Sequence, residues 1–341
     1  MHDFQPLGMP DRLERAAMRP TPRTWAFHFL LLLITLVTAT IAGSIYPFGT
    51  IPIFPEGDPR SFPELVAFLL SLPIQYAAMI AGVIQQLVTD TTLLANGLKF
   101  SLSLLFILIS HEMGHYVACR IYGVDATLPF FIPTPPMIGP AGTFGAFIKI
   151  VSPMPSRRAV FDIGVAGPIA GFIALLPIAV IGVLTMETVP AGTPIPEGAI
   201  VFADPLLMQL IAAAASIDIS LGVGNPFYFA GWVGLLVTAL NLIPSGQLDG
   251  GHAVYAVLGE RVHWWAGRIA FVLMSVLSVV GFYLFNSPSG FLIAVLLGVM
   301  LRVGHPQPWD TSPLDKKRKA IAFLTLLMFV LSFAPFPIRI T

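Results

Sequence analysis

Five consecutive residues carry the most chemistry in this 341-residue chain: His111, Glu112, Met113, Gly114 and His115. On a helix, residues four apart lie on one face, one turn from each other. Two imidazoles at that spacing can bind one zinc ion. The Glu112 carboxylate between them is placed to take a proton from the water that such an ion activates. The motif ends an apolar run from Phe100 to Ile109, so Glu112 is expected at or near bilayer depth. Ionisable residues there are costly and usually functional, which weighs against a chance pair of surface histidines.

A catalytic zinc needs a third protein ligand and one open position. The remaining His, Asp and Glu residues at membrane depth are the candidates. Asp249 stands out in the run from Ala239 to His252, which contains Asn241, Pro244, Leu248, Gly250 and Gly251. It sits at the same end of its apolar stretch as His111 and His115 do of theirs. The two glycines permit a tight turn beside it. Alone, Leu248-Asp249-Gly250 reads as a loop turn. Beside an intramembrane His-Glu-x-x-His it reads as a ligand. His252 reads as a polar contact, because a fourth protein ligand would close the site. Cys119 lies about 12 Å along the axis from His111, too far to share one zinc.

Composition fixes the setting of these residues. The chain is 56% hydrophobic and 11% charged, with mean hydropathy +0.83. That excludes a disordered protein, a nucleic-acid binder and an ordinary soluble enzyme. Lys+Arg and Asp+Glu are 18 each, and the single cysteine excludes an internal disulfide framework. The 31 prolines and 30 glycines suggest broken helices or structured loops.

The expected fold is an all-α polytopic membrane protein with about seven transmembrane helices and re-entrant or β-like elements near the site. The expected spans are Trp25–Tyr46, Phe100–Cys119, Ala159–Thr185, Phe227–Ile243, Trp264–Phe285, Phe291–Val303 and Ala320–Pro337. The first reads as a retained anchor and not as a signal peptide, because 24 residues precede it. Arginines and lysines cluster before residue 24, in 120–158 and in 302–319. The 186–226 connection has neither. The positive-inside rule therefore puts the N-terminus, 120–158 and 302–319 in the cytoplasm. Leu65–Val88 is apolar but broken by Pro73, Gln75, Gln85 and Gln86. It is expected to be re-entrant or interfacial on the outer side. The expected divisions are a cytoplasmic segment 1–24, a first helix with the re-entrant segment 25–95, a catalytic core 96–258 and C-terminal helices 259–341.

His-Glu-x-x-His in one apolar helix, with Asn-x-x-Pro-x-x-x-Leu-Asp-Gly in a later one, resembles the site-2 protease family of intramembrane zinc metalloproteases. Asn241, Pro244, Leu248, Asp249 and Gly250 match that pattern. Gly142–Phe147 and Phe161–Gly171 also look like segments of the family. The resemblance covers about residues 95 to 335. It is nearest to the branch without a PDZ domain, found in plant chloroplasts and prokaryotes. It implies zinc held by His111, His115 and Asp249, with Glu112 as general base. It also implies a role for Asn241 at the developing oxyanion, and a β-element from Gly142 to Ile148 that clamps substrate. Gly142, Thr143, Phe144 and Gly145 are its substrate-binding candidates.

The expected function is cleavage of transmembrane-protein substrates inside the bilayer, in a bacterial or archaeal plasma membrane. No nucleic-acid partner is expected. Nor is a PDZ domain, since the longest connections are near 40 residues. The rival reading is a transporter or channel with a zinc or proton site. It lacks the internal repeat that such proteins usually show.

Overall fold

The computed structural model describes residues 20–45, 59–136, 141–194 and 199–341. Its helices are α1 (Pro22–Ile45), α2 (Phe62–Thr89), α3 (Thr91–Ile121), α4 (Arg157–Leu184), α5 (Leu206–Ala214), α6 (Pro226–Asn241), α7 (Asp249–Leu258), α8 (Glu260–Phe285), α9 (Ser289–Met300) and α10 (Lys316–Ser332). Five of them, α1, α2, α3, α4 and α8, are long and apolar enough to cross a membrane; α6 and α9 are apolar but shorter. The polytopic, mostly helical fold expected from composition is therefore present. Arg12, Arg15, Arg19 and Glu197 lie outside the described residues.

Local chemistry explains where the helices begin. The Asp90 carboxylate accepts from the backbone N–H groups of Thr92 and Leu93. These are N-terminal donors that the helix itself leaves unpaired. α3 therefore starts nine residues before the apolar run at Phe100. Ser156 caps α4 through Ala159 N, and Asp315 caps α10 through Arg318 N. α2 runs unbroken through Pro73 and the glutamines, where the sequence suggested interruption. Single prolines are tolerated in membrane helices because neighbours and local adjustments satisfy the freed carbonyl. Only the C-terminal part of α2 packs well, with Val83 and Leu87 against Ile41 and Ile45 of α1.

α1 and α3 are antiparallel. A side chain on Gly97 would meet both Thr40 and Ser44, and the Ser101 hydroxyl lies 2.8 Å from that of Thr40. Phe100 fills the space beside Gly43. The core is centred on α3, α4 and α6, where Phe100, Leu104, Leu175, Leu235 and Trp232 are almost fully buried.

Between α3 and α4 the chain makes an antiparallel hairpin of β1 (Phe130–Pro133) and β2 (Thr143–Phe147). Its pairs are Phe130 with Phe147, Phe131 with Ala146 and Pro133 with Thr143. The hairpin lies lengthwise along α1. His28 Nδ1 is 2.9 Å from the Pro129 carbonyl, and the Thr38 hydroxyl donates to the Gly142 carbonyl at 2.8 Å. Ten helical residues separate those contacts, about 15 Å of axis. Gly142 has φ +66°, and a Cβ there would lie 2.3 Å from the Thr38 carbonyl oxygen, so the hairpin needs glycine at this point. At the far end of the bundle two small sheets form a cap. β3 (Glu187–Thr188) pairs with β5 (Gly222–Val223), and β4 (Ile200–Phe202) with β6 (Ile338–Ile340). The Trp232 indole N–H donates to Ala203, anchoring the cap to α6.

α3 and α4 cross closely because Gly114 faces the Ala166 carbonyl, to which a Cβ would come within 2.4 Å. Small residues at such crossings let backbones approach where lipid offers no hydrophobic drive. Gly114→Val should prise the two helices apart. A loss of about 1–3 kcal/mol is expected, the usual scale of overpacking, read as earlier thermal unfolding in detergent. An unchanged melting curve would show that the crossing is not tight.

Candidate metal centre

The crossing of α3 and α4 creates the site. His111 and His115 sit one turn apart on α3, and both are buried. α4 presents glycines opposite them. A Cβ on Gly167 would lie 2.1 Å from His115 Nε2, and one on Gly171 would lie 3.0 Å from the His111 Cβ. The imidazoles occupy the volume that side chains on α4 would take. That accounts for Gly167 and Gly171 in the Phe161–Gly171 segment, which spacing alone does not explain.

Asp249 is the first residue of α7. α6 ends at Asn241, and the chain turns through Pro244 and Gly246 before α7 begins. A Cβ on Gly250 would lie 2.0 Å from the Leu242 carbonyl oxygen, and one on Gly251 would lie 2.5 Å from that of Gly246. The glycines after Asp249 therefore let α7 fold back onto the end of α6 and bring the carboxylate to the histidines.

The three side chains meet at their ligand atoms. His111 Nε2 and His115 Nε2 are 3.1 Å apart. Asp249 Oδ2 is 3.3 Å from His111 Nε2, and Oδ1 is 3.4 Å from His115 Nε2. Atoms about 2.0–2.2 Å from a tetrahedral zinc lie about 3.3–3.6 Å from one another. The two imidazole nitrogens and the Asp249 carboxylate, one oxygen toward each imidazole, thus fit zinc in type and lie near its spacing. Among the described residues they form the sole cluster of three such groups within 4.8 Å. His115 Nδ1 lies 2.7 Å from the Ile163 carbonyl. Donation there leaves the Nε2 lone pair for a metal and fixes the ring, the usual outer support of a ligating histidine.

Glu112 is 4% exposed and lines the same cavity of about 620 Å³ as the three ligands. Asn241 Nδ2 is 3.3 Å from His111 Nε2, so its amide stands at the edge of the ligand set. The cavity wall opposite is the end of β2 and the residues after it, Ala146 to Ile150. Gly142, Thr143, Phe144 and Gly145 lie further along the hairpin and are not part of that wall. Gly142 packs on α1, and the Thr143 hydroxyl donates to the Ile132 carbonyl. Cys119 is buried outside the ligand cluster.

His252 lines the cavity but stands outside the ligand cluster. Its Nδ1 is 2.8 Å from His305 Nε2, and the His305 ring stacks on Tyr255. Burial, with His252 beside it, lowers the His305 imidazole to about 3, so it stays neutral. Sequence reasoning missed His305, which is 53 positions from His252 and belongs to no motif. It also missed Ile163, whose contribution is a carbonyl that any residue could supply.

Comparison with known proteins agrees with this geometry. The sequence pattern of Peptidase family M50 matches residues 99–284, which contain all three ligands, Glu112 and Asn241. "Probable zinc metalloprotease EGY1, chloroplastic" of Arabidopsis thaliana is 30% identical over 248 residues, covering 70% of this chain and 43% of that protein. The protein of the same name in Oryza sativa subsp. japonica is 26% identical over 332 residues, 95% of this chain and 53% of its own. "Probable zinc metalloprotease EGY2, chloroplastic" of Arabidopsis thaliana is 26% identical over 73% of this chain and 44% of its own. The chain thus spans about half the length of the curated relatives it matches. With a zinc-spaced ligand triad, an adjacent buried glutamate and this match over more than half its length, the chain belongs to peptidase family M50, the site-2 protease family.

Proposed function

We propose that the protein is an intramembrane zinc metalloendopeptidase that cuts transmembrane-protein substrates within or near their spans. The observation that carries this reading is the triad His111, His115 and Asp249, with nitrogen and oxygen atoms 3.1–3.4 Å apart, beside buried Glu112 in a cavity within an apolar bundle. Zinc in that position supplies Lewis-acid activation of water and of the scissile carbonyl. Glu112 accepts the proton from the attacking water and returns it to the leaving amine. Asn241, whose amide borders the ligand set, donates to the oxygen that becomes charged. The end of β2 at Ala146 and Phe147 lies along the cavity wall as a strand, with Ile150 bridged to Ala126 beyond it. An extended substrate segment pairs with such a backbone and offers its carbonyl to the site.

The same reading orders the chain in the membrane. Because α1 and α3 are antiparallel, the segment between them makes no net crossing, which supports reading α2 as a re-entrant or interfacial helix on the outer side. Seven spans follow, α1, α3, α4, α6, α8, α9 and α10, with α9 the short one. The basic 120–158 and 302–319 segments are cytoplasmic, and the metal centre lies toward that side. The β1–β2 hairpin, lying along α1, is the re-entrant β-element. Non-helical backbone at such depth is acceptable where it lines a hydrated cavity.

Three measurements test the function. Purified protein should hold about one zinc per chain by elemental analysis, as a two-histidine, one-carboxylate site requires. Asp249→Ala should lose most of it and Cys119→Ala none. Metal loss on Cys119→Ala as complete as on His115→Ala overturns the ligand set. Glu112→Gln should keep zinc and fold yet lose proteolysis by at least about 10²-fold, the scale of general-base catalysis. Wild-type turnover in that variant would reject the mechanism. Finally, two substrates with one span, differing only in a central Asn-Gly or Leu-Leu pair, should differ in cleavage. The Asn-Gly form should be favoured because its helix unwinds at lower cost. Equal rates, or cuts mapped to the outer half of the span, count against the proposed depth of the site.

A further inference from the structure

A second concavity lies behind the metal centre, between α7 and α10. It is a groove of about 440 Å³ walled by Pro244, Val254, Val257, Phe323, Leu326 and Phe329. Its polar content is small. Among the described residues that line it, Lys319 alone is charged. The groove opens laterally, since Leu258, Phe323 and Leu326 are more than half exposed. From Lys319 to Phe329 is ten residues of α10, about 15 Å along the axis. That is half of the roughly 30 Å hydrocarbon thickness, the depth of one leaflet.

Charge is arranged at one end only. Lys316, Lys317 and Lys319 are exposed at the start of α10. Arg318 between them is already engaged, bidentate to Asp162 through Nε at 2.9 Å and Nη2 at 2.6 Å, and paired with Asp315. Of the three, Lys319 lines the groove, with no acidic residue in the lining beside it.

We propose that this groove is a binding site for one anionic glycerophospholipid. An acyl chain lies along α10 between α7 and the Phe323–Phe329 face, and the phosphate rests on Lys319 with Lys316, one turn back on the same face, beside it. Each part of the lipid meets its own chemistry: a leaflet-long apolar slot for the chain and cationic donors at the interface for the phosphate. The inner wall is Pro244 and Gly250, the residues flanking the turn that delivers Asp249. The bound chain therefore rests on the back of the metal centre.

The test needs no proteolysis assay, so it stands or falls apart from the proposed function. Full-length protein is reconstituted in phosphatidylcholine vesicles containing a minor fraction of phosphatidylglycerol with a photoactivatable group in its acyl chain. After irradiation the labelled peptides are mapped, with zinc content as the control for folding. Label should concentrate in residues 242–258 and 319–329, and unlabelled phosphatidylglycerol should displace it better than phosphatidylcholine. Lys319→Gln should lower labelling about fivefold at low salt, the worth of one lysine at an anionic interface. Ala322→Phe, which fills the groove, should abolish the label whichever headgroup is used. Label spread evenly round the bundle, equal displacement by both lipids, or unchanged labelling in Lys319→Gln overturns the proposal. So does displacement of the label by a synthetic transmembrane peptide in place of phosphatidylglycerol, which would assign the groove to a helix.

Discussion

The structure depends on how little room separates two helices. The His115 ring lies where a side chain on Gly167 would have to go, and His111 does the same at Gly171. Were α4 to carry even methyl groups there, the imidazoles would be pushed aside or the helices forced apart. Close approach, set by Gly114 on one helix and Gly167 on the other, is what buries both rings. It also brings the Ile163 carbonyl to His115. A packing constraint between two helices thus sets the place of both imidazoles.

The same economy appears at the third ligand. Asp249 approaches the histidines because α6 stops at Asn241 and the chain doubles back through a turn too tight for side chains at Gly250 and Gly251. Asn241 ends one helix and Asp249 begins the next, so the residues on either side of the turn both reach the cavity. The spacing from Asn241 to Asp249 is therefore a geometric requirement. A longer turn would carry the carboxylate away from the ligand pair.

Much of this was legible in the sequence, and the parts that were not share a cause. The cluster of His111, His115 and Asp249 could be read because a metal demands particular side chains at a particular spacing. The existence of most helices followed from apolar runs of sufficient length. Helix starts were less legible, since α3 begins where the Asp90 carboxylate caps it and not where hydrophobicity rises. The wall formed by Ala146 to Ile150 was only partly anticipated, because backbone along a cavity leaves little mark on residue type. His305 and Ile163 were invisible, since they act through a ring contact and a carbonyl set by tertiary packing. α2 ran through the proline and glutamines that suggested a break, because those residues sit on a helix with few packing demands.

The turn after Asn241 and the glutamate between the histidines together have an electrical consequence. With a metal bound, His111 and His115 would ligate as neutral imidazoles, while Asp249 and Glu112, both ionised, would contribute one negative charge each. A divalent cation among them brings the formal sum to zero. Isolated charge in a low-dielectric medium is costly, and a compact neutral cluster largely escapes that cost. The centre therefore requires no arginine or lysine at its heart to balance it, and the one lysine of the cavity wall, Lys149, is exposed. A metal held there would also be the counter-charge for two carboxylates among apolar helices.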